Sequence, residues 1–172
     1  MAIDRTGVAW VNYADGSLHK ASTTDAKCTK TAFVPDGKGF GKIDLATLDI
    51  AMLGDYTGTL SKKAAELTGT ADGRVYGFFT TQPATLAQID RGSATTSSER
   101  TLDGVSFGAA FALSFSGGDF WFYTAEGTAP SKVTQLKQAS GSGELVVAIS
   151  DVGGFRIVGA GVPTCAPLTP PR

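Results

Sequence analysis

The sequence predicts an all-β protein folded as a partial β-propeller, and three observations lead to this prediction. Short apolar runs are separated by turn residues at regular intervals along most of the chain. The 172 residues include 22 Gly and 21 Thr, a composition typical of many short strands joined by tight turns. Two stretches also repeat one another with a period in the forties, which is the period of a four-stranded propeller blade.

The predicted strands follow one another with little helix between them. Polar residues and glycines at 14–16 and 35–37 indicate turns, and the predicted helical turn covers residues 60–66. Strands are predicted at residues 7–13, 17–22, 31–34, 41–45, 49–53, 65–68, 74–80, 86–91, 99–102, 110–115, 119–124, 132–137, 145–150 and 155–158.

The repeat consists of two turns that each lead into an aromatic strand. The segment TADGRVYGFF aligns with SGGDFWFY and places Gly73 opposite Gly118, at an offset of 45. The first aromatic strand begins at Gly7, 66 residues before Gly73, where two full periods would require about 90. We therefore predict that half a blade is missing. The predicted units are residues 7–34 closed by a strand at 155–158, a half-blade at 39–53, and full blades at 64–103 and 109–150.

These units predict one domain over residues 1–165, with about three and a half blades, and a Pro-rich tail over 166–172. A ring of fewer than four blades lies outside the usual range, and a half-blade leaves sheet edges unpaired. A second copy of the chain could pair those edges, so we expect a homo-oligomer, with a dimer favoured. The alternative is a β-sandwich that hides its edges.

Three segments carry a resemblance to a group of known proteins, namely TGTADGRVYGFF, GGDFWFYTA and GFRIVGAGVPTC. Through them the chain resembles bacterial secreted or cell-envelope β-propeller repeat proteins of a lipoprotein-like type. The resemblance covers most of the chain and implies a propeller scaffold in a secreted or envelope location. It implies no particular chemistry. No signal peptide is expected in residues 1–20, and the apolar stretch at 107–115 is too short for a membrane span.

The net charge limits the possible partners, and the cysteines bear on the redox state of the compartment. Lys and Arg number 15 against 16 Asp and Glu, so the net charge of −1 predicts no nucleic-acid partner. Cys28 and Cys165 each follow a strand that would take part in ring closure, which makes them a candidate disulfide. The alternative is two free thiols in a reducing compartment.

Candidate catalytic residues come from strands predicted to line a central channel, where a small-molecule ligand is expected. Glu66 lies among apolar strand residues, and it could pair with Arg156 across the channel. Glu66 could instead be a ligand for Ca²⁺ or another divalent metal. His19 is a third candidate because it is the only His in the chain, although its strand pattern favours an exposed position.

The chain is similar, in architecture only, to calcium-dependent six-bladed propeller hydrolases of the paraoxonase and gluconolactonase type. That similarity implies hydrolysis of activated esters, lactones or phosphotriesters, with Glu66 as metal ligand or base. The chain departs from those enzymes because Asn12 is its only Asn. Two functions therefore stay open: a non-catalytic scaffold or binding module, which we favour, and a metal-dependent hydrolase.

Two further patterns are interpreted as structural. The pentapeptide GVSFG at 104–108 matches the Gly-x-Ser-x-Gly nucleophile motif, but the single His precedes it, so Ser106 is predicted to be a turn residue. In the aromatic strand, alternation places Phe120 and Phe122 on one face and Trp121 and Tyr123 on the other. Packing between sheets is favoured for this cluster, and a ligand-binding surface is the alternative.

Overall fold

The computed structural model describes residues 1–3, 8–14, 17–21, 28–33, 38–47, 49–162 and 167–169, and the side chains of these residues outside 12–38. The strands are β1 (Ala2–Ile3), β2 (Ala9–Ala14), β3 (Ser17–Ala21), β4 (Cys28–Phe33), β5 (Lys38–Ile43), β6 (Ile50–Gly54), β7 (Ala65–Gly69), β8 (Val75–Phe79), β9 (Thr85–Ile89), β10 (Thr96–Thr101), β11 (Ala110–Ser116), β12 (Asp119–Ala125), β13 (Lys132–Lys137) and β14 (Glu144–Ile149). A short 3₁₀ segment covers Gly58–Leu60, and the helical turn predicted at residues 60–66 is not formed, since β7 begins at Ala65. No helix in this described part of the chain is long and apolar enough to cross a membrane.

The strands form three four-stranded antiparallel sheets and one separate hairpin. Sheet 1 has the order β1-β2-β5-β6, sheet 2 the order β7-β8-β9-β10, and sheet 3 the order β11-β12-β13-β14. Sheets 2 and 3 are simple up-and-down meanders, which is the architecture of a propeller blade. The predicted all-β class and blade-like sheets are therefore confirmed.

The predicted division of the first half of the chain is wrong. Residues 7–34 and 39–53 do not form separate units, because β2 pairs directly with β5, from Ala9 opposite Ile43 to Ala14 opposite Lys38. The β3-β4 hairpin is inserted between these two strands of one sheet. The described part of the chain thus contains three complete four-stranded sheets, where three and a half blades were predicted.

The predicted closing strand at 155–158 is also absent, since residues 151–162 form no strand. β1 occupies the expected position instead, with Ala2 paired opposite Trp10 of β2. The backbone around Phe155 bonds to Ser131: the Ser131 N–H donates to the Phe155 carbonyl at 2.8 Å, and the Ile157 N–H donates to Ser131 Oγ at 2.8 Å.

Sheet 2 lies between the other two sheets and is buried on both faces. Every residue of β8 is buried. Val75 and Phe79 join the core shared with sheet 1, where Phe79 meets Tyr56 at 4.8 Å between ring centroids. Tyr76 and Phe78 join the core shared with sheet 3. The first strands of the three sheets meet on one side of the molecule, because β7 contacts both β1 and β11.

The sequence repeat is visible in the backbone. Gly73 and Gly118 both have φ of +84°, a left-handed conformation that Gly adopts without the Cβ clash other residues suffer. Each residue closes the turn before the second strand of its sheet. The predicted alternation is confirmed as well, because Phe120 and Phe122 are buried against sheet 2.

Candidate functional site

A cleft of about 220 Å³ lies between the turn tips of sheets 2 and 3. The β7-β8 turn supplies one wall, and the β11-β12 turn together with residues at the end of β13 supplies the other. Leu168 completes the lining, because the Pro167 carbonyl accepts a hydrogen bond of 3.2 Å from the Gly118 N–H. The cleft is lined by Thr70, Asp72, Arg74, Tyr76, Phe115, Gly118, Phe120, Gln138, Ala139 and Leu168.

An ion pair forms the polar wall of this cleft. Arg74 donates from Nε at 2.6 Å and from Nη2 to the same oxygen, Oδ2 of Asp72. It also donates from Nη1 to the Tyr76 hydroxyl at 3.2 Å. Asp72 Oδ1 accepts from the Thr70 hydroxyl, and Tyr76 donates to Gln88 Oε1 at 3.4 Å. These contacts fix both charged groups in one geometry.

The same contacts set the protonation states of the pair. Burial opposes ionisation of Asp72, but hydrogen bonds from Thr70 and Arg74 outweigh it, so the pKa of Asp72 lies below its ordinary value. The hydrogen bond to Asp72 raises the pKa of Arg74 above its already high ordinary value. Both groups are therefore charged at neutral pH, and the pair carries no net charge.

The opposite wall of the cleft is held by Asp119. Its Oδ1 accepts hydrogen bonds of 2.8 Å from the backbone N–H groups of Gln138 and Ala139. Its Oδ2 accepts one of 2.7 Å from Gln135 Nε2. Asp119 is buried and used by these contacts, so it shapes the wall rather than offering a charge to the cleft.

The sequence reasoning did not select Asp72 or Arg74 as site residues. The segment containing them served only as evidence for the repeat and for the resemblance to envelope propeller proteins. A signal was present, because opposite charges flank Gly73 in the turn before an aromatic strand. The equivalent turn of sheet 3 has Gly117 where sheet 2 has Asp72.

A second cavity, of about 410 Å³, lies beside β1, β7 and residues 160–162, and neither Glu66 nor Arg156 lines it. Thr68 lines it, and its buried Oγ1 has no hydrogen-bond partner among the described residues. Glu66 lies on β7 opposite Phe78 and is partly buried, and this burial raises the pKa of its carboxyl group. The amino group of Met1 acts in the opposite direction and is the smaller effect.

The predicted pairing of Glu66 with Arg156 is not formed. Both residues are described, and neither an ion pair nor a hydrogen bond joins them; Arg156 is exposed in the segment that forms no strand. A metal site at Glu66 has no support in the described residues either, because no three His, Cys, Asp or Glu side chains lie together there.

The remaining sequence candidates are Ser106, whose side chain is described, and His19, Cys28 and Cys165, whose side chains are not. Ser106 is in the irregular loop between β10 and β11, and its hydroxyl donates to Glu126, as the predicted turn role allows. His19 and Cys28 lie on β3 and β4, but their side chains are not described. Cys165 lies outside the described residues, so the disulfide stays a prediction.

Sheets 1 and 3 each have one face that is not part of the core shared with sheet 2. On sheet 1 the register places Ile3, Met52, Ala9 and Ile43 on this face. Ile3 and Met52 are 40% and 46% exposed, whereas Ala9 and Ile43 are buried. On sheet 3 it places Tyr123 and Ile149 there, and Ile149 is 48% exposed. We call these two surfaces the end faces.

No protein-family model matches the sequence, and no curated protein matches it significantly. The resemblance to cell-envelope propeller proteins is therefore supported only at the level of the all-β, repeated-sheet architecture.

Proposed function

We propose that the chain is a non-catalytic binding scaffold whose propeller ring is completed by a second copy of itself. Three sheets from each of two chains would give a ring of six, within the usual range of four to eight blades. The observation that carries the proposal is the set of exposed apolar side chains on the two end faces, namely Ile3 and Met52 on sheet 1 and Ile149 on sheet 3.

The way the sheets already pack favours a second copy as the occupant of both end faces. Sheet 1 packs on sheet 2 through β1 and β7, and sheet 2 packs on sheet 3 through β7 and β11. The chain thus contains the same contact twice, with the first strand of one sheet against the first strand of the next. Continuing it would place the end face of sheet 3 on the end face of sheet 1 from a second copy. A two-fold axis would then form both contacts and close the ring.

The area is sufficient for a stable dimer. Four strands about 4.8 Å apart and about five residues long present roughly 300 Å² on one face. The dimer would have two contacts, and each contact would bury one face of each chain. The four buried faces give about 1,200 Å², which is the lower end of the range for specific protein interfaces.

The proposal includes a secreted or envelope location, where Cys28 and Cys165 could form a disulfide. A scaffold needs no catalytic group. The metal-dependent hydrolase gains nothing comparable from the described residues, because Glu66 does not pair with Arg156 and no three potential metal ligands lie together among them.

Native mass spectrometry of the full chain at micromolar concentration tests the proposal. The expected species is a dimer of about 35 kDa, twice the chain mass of 17.7 kDa. The same spectrum reports the disulfide as the loss of two hydrogen atoms per chain. A monomer at this concentration would refute the proposal, and open-ended oligomers would show that the contact does not close into a ring.

A matched pair of variants on β14 locates the interface. Ile149 pairs with Val133 on the end face, whereas Val147 pairs with Thr134 on the opposite face. The two side chains are similarly exposed, at 48% and 53%. Ile149→Lys should therefore dissociate the dimer, while Val147→Lys should leave it intact. Equal behaviour of the two variants would remove the end face from the interface.

A further inference from the structure

The cleft between the turn tips of sheets 2 and 3 contains hydrogen-bonding groups that the fold does not use. A guanidinium group has five N–H donors, and the bonds to Asp72 and Tyr76 occupy three of those on Arg74. Two N–H donors therefore remain. Gln138 also lines the cleft, and its side-chain amide makes no hydrogen bond to any described residue.

The charge of the cleft favours an uncharged ligand. The positive charge of Arg74 is held against Asp72 by two hydrogen bonds, so an anionic ligand would have to compete with a carboxylate already in place. A cationic ligand would face the same difficulty with Arg74. Free N–H donors and a free amide remain available to hydroxyl groups.

The volume of the cleft and its lining limit the class of ligand further. The volume of about 220 Å³ is below the roughly 300–1,000 Å³ of pockets for drug-sized molecules, so the ligand must be small. Phe115 and Phe120 line the cleft together with the polar groups and meet at 5.0 Å between ring centroids. Both rings are buried in the core between sheets 2 and 3, so they close the floor of the cleft and leave its polar groups as the contacts for a hydroxyl-rich molecule.

We infer that this cleft is a binding site for a neutral sugar of monosaccharide size. In this site Arg74 donates to ring or hydroxyl oxygens, and Gln138 exchanges hydrogen bonds with a neighbouring hydroxyl. The inference does not depend on self-association, because every group belongs to one chain.

Nuclear magnetic resonance on the ¹⁵N-labelled full chain tests the inference. The probes are the methyl glycosides of glucose, galactose, mannose and fucose, each titrated to about 50 mM, with sodium acetate as an anionic comparison. At least one glycoside should shift the Arg74 Nε–H and the backbone amides of the β7-β8 turn saturably. Shifts with acetate alone, or with none of the probes, would overturn the inference.

Three variants identify the binding groups. Arg74→Met and Gln138→Leu should each weaken binding of the active glycoside by about tenfold, the effect of losing one or two hydrogen bonds. Arg156→Met removes an exposed guanidinium outside the cleft and should leave the affinity unchanged. Binding that survives both cleft variants would place the sugar elsewhere. The Gln138 variant keeps the test valid if loss of Arg74 prevents folding.

Discussion

Replacement of Gly118 by Ala tests how residues 167–169 are docked on the β11-β12 turn. Gly118 has φ of +84°, and its N–H donates to the Pro167 carbonyl at 3.2 Å. A Cβ at this position would overlap the Leu168 carbonyl oxygen and lie 2.8 Å from the Ala139 Cβ. Because the nearer obstacle is backbone, the segment would have to move away to admit the methyl group.

The expected loss has two parts. Ala in the left-handed region costs about 1–2 kcal/mol. Displacing residues 167–169 also breaks the bond to Pro167, worth about 1 kcal/mol. Gly118→Ala should therefore lower the free energy of unfolding by about 2–3 kcal/mol. Gly104→Ala is the matched control, because Gly104 has a similar φ of +77° but nothing within 4 Å of the added Cβ.

Urea unfolding at 25 °C measures both variants, and the difference between them is the quantity of interest. Gly118→Ala should lose about 1 kcal/mol more than Gly104→Ala. Equal losses would mean that residues 167–169 contribute no stability at this turn, and the reasoning about that wall of the cleft would be refuted.

Two further predictions concern polar groups on β7 and in the turn that follows it. Burial raises the pKa of Glu66 in the folded chain, so the stability present below the ordinary pKa should decrease as pH rises through the folded value. Glu66→Gln should flatten this decrease in urea unfolding between pH 4 and 7, and an unchanged pH profile would contradict it. Thr68→Val removes a buried hydroxyl that has no described hydrogen-bond partner, so it should stabilise the chain by about 1 kcal/mol. Thr70→Val removes the hydrogen bond to Asp72, so it should destabilise the chain by about 1–2 kcal/mol. Thermal unfolding of the two Thr variants side by side would contradict the prediction if their order were reversed.

The positions of most strands could be predicted because each satisfies its turn chemistry and alternation locally. The second strand of sheet 3 was predicted at 119–124 and is found at Asp119–Ala125, and the third was predicted and found at Lys132–Lys137. The left-handed residue in each repeated turn was also recognisable, since Gly73 and Gly118 align in sequence and share one conformation.

The number of blades could not be obtained by counting periods. The distance of 66 residues between Gly7 and Gly73 was interpreted as two periods with a deletion, but it is one period of 45 with 21 residues added. The β3-β4 hairpin accounts for the addition. An inserted hairpin has the same turn chemistry and alternation as a blade strand pair, so only the pairing of β2 with β5 distinguishes them.

The predicted strand at 155–158 failed for a related reason. Alternation of apolar residues shows that a segment can form a strand, but a strand also needs an edge on which to pair. The edge next to β2 is occupied by β1, which contributes only two residues and was not recognised in the sequence. The interpretation of Arg156 as a channel residue depended on that strand and fails with it.

The candidate site follows from what differs between the corresponding turns of sheets 2 and 3. Gly73 and Gly118 share a φ of +84°, but five residues separate the paired Gly69 and Val75 in sheet 2, whereas two separate the paired Ser116 and Asp119 in sheet 3. In sheet 3 the residue after this Gly is Asp119, which is buried and bonds three groups of its own sheet. In sheet 2 the equivalent residue is Arg74, whose side chain is 52% exposed, lines the cleft and retains donors that the fold does not use. A repeated architecture satisfies its backbone in every copy, so a residue that departs from its counterpart and keeps unused hydrogen-bonding groups is the better candidate for function. By that criterion Arg74 is a better candidate than Glu66. Glu66 was selected from the sequence because it lies among apolar residues, and its burial disfavours the charged form of its carboxyl group.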